Sequence, residues 1–290
     1  MERLESLLSH ELLPLESFPS AFLTLFSSTV GSGLLGLPYA IHLTGWPLGL
    51  LLLSLGLGLN LFTCYLLVKV MQGDCVAYAL DSLFLHAFQG INQKALTSLT
   101  NFTRVNVILN NYGFMVSYFI VVLSKQMENA VARIIDRFGD VESWNQDYIW
   151  VFPLAVLIYP LCLFNVIGTL RYSSIITLAN SICIAVLIVT KLGKDENPSL
   201  DSTPREWENP FLSIPIILFA YTNQSNLGDI YKDMCNRERN GVHLISLVLG
   251  CVFVLYTLVG LCGCAAFPVS TNLLQAAGWE GSWGVTVRDR

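Results

Sequence analysis

The stretch Thr29-Val-Gly-Ser-Gly-Leu-Leu-Gly-Leu-Pro-Tyr-Ala40 decides the fold of this chain. It sets Gly31, Ser32, Gly33 and Pro38 in the middle of an apolar run long enough to cross a bilayer. In hydrocarbon every backbone N–H and C=O needs an internal partner, so an interruption survives only where protein or a polar cavity supplies substitutes. The stretch therefore predicts a broken helix and a binding site at membrane depth.

Composition outside that stretch agrees with a membrane location. Of the 290 residues 53% are hydrophobic and 13% charged, with a mean hydropathy of +0.57, whereas a soluble domain carries roughly 25% charged residues. A net charge of −5 and a pI near 5.3 argue against nucleic acid as a partner. A span needs about 20 mostly apolar residues. Seven stretches qualify: 20–43, 46–70, 104–124, 148–166, 172–190, 211–231 and 242–267. An all-α integral membrane protein follows, with 20–267 as its transmembrane domain. Only Thr44 and Gly45 lie between the first two spans, so these form a tight antiparallel pair.

Residues 1–19 carry Glu2, Glu5, Glu11 and Glu16 and lack a basic n-region, so they read as a short cytoplasmic tail rather than a signal peptide. Lys and Arg divide eight to eight between the two sides. Arg171 in a very short loop, with Lys232, Arg237 and Arg239 at a span end, tips the orientation toward a cytoplasmic N-terminus. None of the eight cysteines falls in the long loops 125–147 and 191–210 assigned to the outside, so an extracellular disulfide is not expected. Cys262 and Cys264 have neither redox nor zinc spacing and read as small packing residues. The sequons at Asn101 and Asn223 face the cytoplasm and lie within a span respectively, so neither predicts glycosylation.

Gly31, Gly33 and Gly36 satisfy the pattern of a dinucleotide-binding loop, but that loop must follow a strand and open a helix in a βαβ unit. Inside a membrane span the pattern loses that meaning. Close helix packing is the simpler explanation for these glycines, until the sixth span is considered. There Ile214-Pro-Ile-Ile-Leu-Phe219 runs into Tyr221-Thr-Asn-Gln-Ser-Asn226, six consecutive polar-capable residues. On one helix such a run points in all directions, whereas unwound backbone lets several of its side chains face one cavity. The first and sixth spans are equivalent if the chain repeats every five helices, and paired interruptions in matching positions point to a secondary transporter's substrate site. Unwinding frees N–H groups that suit a carboxylate and C=O groups that suit Na⁺ or an ammonium group. A zwitterionic amino acid meets both needs.

The 29–40 stretch with Thr44-Gly45-Trp46, Tyr112-Gly113 with Ser117-Tyr118, Leu170-Arg171-Tyr172-Ser173-Ser174, and Phe219-Ala220-Tyr221 through Ile230-Tyr231 together resemble the amino acid/auxin permease family over residues 20–275. The resemblance implies a LeuT-like fold of two inverted five-helix repeats and amino-acid symport coupled to H⁺ or Na⁺, with no other cofactor. It also implies a cytoplasmic N-terminus. By motif position, substrate contacts fall on Thr29, Gly31, Ser32, Gly33, Tyr221, Thr222, Asn223, Gln224 and Ser225. Family members often carry a His near Asn223, and its absence here argues against proton coupling through that position. Such permeases usually have about eleven spans. Here 268–290 leads only to where an eighth would begin, giving one repeat plus two helices of the second. The expectation is an incomplete form, or one that needs a second copy or a full-length permease as partner.

Asn106 and Asn110 share one helix face with Asn111 beside it, a pattern that fits interhelical hydrogen bonds better than substrate contact. Asp229 reads as an interfacial residue near a span end rather than a buried proton carrier, and Tyr118 as either a lid over the substrate or a packing tyrosine. His10, His42, His86 and His243 have no metal spacing, and no Ser/His/Asp set or carboxylate pair lies within the spans, so no enzyme is expected. A seven-span receptor matches the count alone, since the third span has no acidic-Arg pair and the seventh no Asn-Pro-x-x-Tyr. A non-transporting amino-acid sensor or regulatory fragment is the remaining alternative. Plasma membrane and vacuolar or lysosomal membrane both suit the family.

Overall fold

A computed structural model describes residues 17–31, 33–72, 80, 83, 92–122, 156, 159, 171–193, 209–234 and 237–266. Among the described residues lie eight helices: α1 (Phe18–Thr29), α2 (Gly33–Thr44), α3 (Trp46–Met71), α4 (Gln93–Val122), α5 (Arg171–Leu192), α6 (Asn209–Ala220), α7 (Gln224–Asp233) and α8 (Arg237–Ala266). The expected fourth span, 148–166, lies outside the described residues apart from two single positions.

Helices α1 and α2 occupy the expected first span, and their axes bend by 52° at the break between them. Each has 12 residues, which is about 18 Å of helix against a hydrocarbon core of about 30 Å. Neither crosses alone. The same holds for α6 and α7, of 12 and 10 residues. By contrast α3, α5 and α8 are each long and apolar enough to span a bilayer, and the α1–α2 pair qualifies as a broken span. Helix α4 starts eleven residues before the expected third span, because the polar turn from Gln93 to Thr103 continues the same helix.

The turn from α2 into α3 rests on Gly45, whose φ of 75° lies in the left-handed region that favours glycine. Pro47 then opens α3 at its first turn, where a missing N–H costs nothing. Along α3 the buried residues Gly49, Leu53, Gly56, Asn60, Cys64, Val68 and Met71 recur every three or four positions. That stripe faces the protein, while Leu51, Leu55, Leu59, Phe62 and Leu66 stay exposed. An apolar outer face of this extent suits lipid rather than water.

Helix α8 is the central post. Its stripe of Ile245, Val248, Leu249, Val252, Tyr256 and Val259 is buried, and the helix packs against α1, α2, α3 and α5. Small residues let α2 approach it closely: a Cβ on Gly260 would fall 2.6 Å from Ile41 Cδ1, and one on Gly263 would fall 2.6 Å from Pro38 Cγ. Helix α2 also lies along α6, where the Ser213 hydroxyl donates to the Ala40 carbonyl at 3.1 Å. These contacts bring the ends of two broken helices to one place in the core.

Candidate functional site: the junction of two broken helices

At the end of α1 the Val30 amide still donates to Phe26 O at 2.9 Å, and then the helical pattern stops. The Gly31 amide turns back to Thr29 O at 3.1 Å, and Leu34, inside α2, donates to Gly31 O at 3.2 Å. Thr29 is buried, and its hydroxyl donates to Leu25 O at 2.8 Å. The same oxygen accepts the side-chain amide of Asn223 at 2.9 Å, across 194 residues of sequence. One hydrogen bond thus joins the two breaks directly.

The second break tightens before it opens. The Tyr221 and Thr222 amides donate to Leu218 and Phe219 carbonyls three residues back, each at 3.2 Å, the short-turn pattern typical of helix ends. Unwinding leaves acceptors that the helix no longer fills, and side chains of other helices supply the donors. The Asn60 side-chain amide of α3 donates to Tyr221 O. The Tyr256 hydroxyl of α8 lies 2.7 Å from Ala220 O and 2.9 Å from Thr29 O. Further along α3, the Cys64 thiol lies 3.0 Å from Asn60 Oδ1 and 3.6 Å from Asn223 Oδ1. Gln224 accepts the Asn223 amide through Oε1 at 3.1 Å and donates through Nε2 to the Thr63 hydroxyl at 3.3 Å.

The donor side of the breaks differs. Helix geometry leaves the first amides of α2, from Gly33, and of α7, from Gln224 and Ser225, without intrahelical acceptors. These N-termini carry positive partial charge and favour an anionic group such as a carboxylate. The junction therefore combines occupied carbonyls with helix starts suited to an anion.

The glycines of the first break serve proximity. A Cβ on Gly33 would lie 2.6 Å from Ala220 Cα, so α2 and α6 touch backbone to backbone there. A Cβ on Gly31 would lie 2.6 Å from the Tyr118 hydroxyl, which places that side chain of α4 over the break. One turn earlier on α4, Phe114 packs on Phe219 with ring centroids 4.8 Å apart. Gly56 of α3 leaves room for the Tyr221 ring, 3.0 Å from its Cβ position.

Of the nine residues expected at the substrate, Ser32 lies outside the described residues. Thr29, Gly31, Gly33 and Asn223 meet at the junction. Gln224 and Ser225 open α7. Tyr221 contributes its carbonyl while its ring is buried against Tyr256, centroids 5.3 Å apart. Thr222 turns its hydroxyl back to Leu218 O of α6 at 3.1 Å. Asn106, expected to bond across helices, donates instead to Phe102 O of its own helix at 2.8 Å.

Sequence pattern alone does not single out Asn60, Cys64 or Tyr256. Asn60 had a usable signal, as an amide in the apolar run Leu48–Phe62 with Gly56 one turn before it on the same face. Tyr256 had none, since a tyrosine among Val252–Leu258 is ordinary in a span.

The family model described as transmembrane amino acid transporter protein matches residues 15–288. A curated relative, the sodium-coupled neutral amino acid symporter 2 of Danio rerio, is 25% identical over 280 residues, covering 87% of this chain and 53% of that protein. The chain thus spans about half the length of the curated relative it matches. No solved structure matches.

Proposed function

Because the chain belongs to the transmembrane amino acid transporter family, we propose that it carries amino acids across a membrane by secondary active transport, alternating inward and outward states around the junction of α1–α2 with α6–α7. The observation that carries this reading is the Asn223–Thr29 hydrogen bond, which joins the two unwound segments into one polar centre within apolar helices. The substrate carboxylate is held by the first amides of α2 and α7, at Gly33 and at Gln224 and Ser225. Gly31 and the Tyr118 hydroxyl border the same space.

The two interrupted spans support a LeuT-like arrangement of inverted repeats. The coupling ion is Na⁺ or H⁺, with no other cofactor and no enzymatic step. The relative's name, a sodium-coupled neutral amino acid symporter, supports Na⁺ and a neutral side chain on the substrate. The host membrane is the plasma membrane or a vacuolar or lysosomal one.

Uptake of radiolabelled neutral amino acids into proteoliposomes holding the purified 290-residue chain tests the reading, with imposed Na⁺ and pH gradients and empty vesicles as control. Accumulation driven by a Na⁺ gradient is the expected result. Folded protein that binds amino acid but accumulates none under either gradient would replace transport with amino-acid sensing.

A further inference from the structure

Tyr256 is fully buried in the middle of α8. Its hydroxyl approaches two carbonyls from different parts of the chain, Thr29 O at 2.9 Å and Ala220 O at 2.7 Å. These are the last residues of α1 and α6, so each carbonyl belongs to the negative end of a half-helix. Two such ends directed at one point repel each other. In discontinuous transporter helices, half-helix C-terminal ends and unwound carbonyls are where a coupling cation is ordinarily coordinated. At this point in the present chain stands a phenolic proton.

We propose that Tyr256 is a positioning residue that takes the place of a cation between the two broken helices. Its single hydroxyl proton is shared by the Thr29 and Ala220 carbonyls, neutralises their facing dipoles and ties the ends of α1 and α6 to the post formed by α8. A coupling cation is then favoured at other groups, because the phenol occupies the point where the two carbonyls converge. The tie connects α8 to both interrupted spans, so it makes the two breaks move as one unit. Its effect on uptake rests on the transport reading above. The tie itself does not.

The test is Tyr256→Phe, which keeps the ring and removes only the donor. Thermal unfolding of the purified full chain is measured in NaCl and in choline chloride at equal ionic strength, beside uptake in proteoliposomes. The variant is expected to unfold at a lower temperature than wild type in choline. It should also gain a larger Na⁺-dependent stabilisation than wild type, because Na⁺ fills the space between the two carbonyls. Vmax should fall about tenfold, the equivalent of one buried hydrogen bond at the strong end of its range. KM should change less than about threefold, since the amides heading α7 lie on the donor side of the break.

An unfolding temperature and Na⁺ response equal to those of wild type overturn the proposal. If the Phe variant does not fold, 4-aminophenylalanine at position 256 restores a donor on the same ring. Folding without the extra Na⁺ response then supports the tie, and failure of that variant as well overturns it. Wild-type protein that shows no uptake, while the two proteins differ in their Na⁺ response, defeats the transport reading and leaves the tie standing.

Discussion

The two breaks do the same job by opposite means. Between α1 and α2 the chain gives up side chains: Gly31 and Gly33 leave space that Tyr118 and Ala220 occupy. Between α6 and α7 the chain adds polar side chains, and Asn223, Gln224 and the Tyr221 carbonyl are held by Thr29, Thr63 and Asn60. A glycine break adds no polar side chain to be satisfied but depends on what packs into the gap. A polar break can be buried only if its groups find partners, since each unsatisfied one costs about 1–3 kcal/mol. The first is consequently sensitive to added volume and the second to lost hydrogen bonds.

That contrast breaks most sharply at Gly33. Gly33→Ala adds a Cβ 2.6 Å from a backbone atom of α6, where no side chain can rotate away. It is expected to destabilise the fold by about 2 kcal/mol or more, the upper part of the overpacking range, read as a lower unfolding temperature and lost uptake. A variant as stable as wild type would contradict backbone contact between α2 and α6 at this point.

Gly31→Ala sharpens the comparison within the same break. The Cβ there meets only the Tyr118 hydroxyl, the far end of a flexible side chain. A loss below about 1 kcal/mol is expected, and combining it with Tyr118→Phe should recover most of that loss. Additive losses in the double variant would show that the two residues do not share this space. The smallest effect belongs to Thr222, in the polar break but bonded to its own helix at Leu218 O. Thr222→Val should change stability by less than about 0.5 kcal/mol and leave the affinity for amino acid intact. A large loss of binding would move Thr222 into the substrate shell.

The helices that the sequence pattern made legible are those with one dominant signal. Apolar length marked α3, α5 and α8, and the Gly31/Gly33 and Tyr221–Asn226 runs marked where two others stop. The partners of the stopped ends were much less legible. Asn60 lies 161 residues from the carbonyl it caps, and Tyr256 lies 227 residues from Thr29. Nothing in a periodic pattern records which distant donor meets a freed carbonyl, because that depends on how α3 and α8 pack. The same limit explains Asn106, whose place on a helix face was readable while its choice of a local acceptor was not.

The central claim is that the two breaks form one site, and a thermodynamic cycle on the hydrogen bond between them tests it most directly. Binding of a labelled neutral amino acid to the purified chain is measured for wild type, Thr29→Val, Asn223→Ala and the double variant. Each single change should weaken binding, and the double variant should bind no more weakly than the worse single one, because both changes remove the same contact. Losses that add in full, or binding indifferent to both changes, would contradict the account.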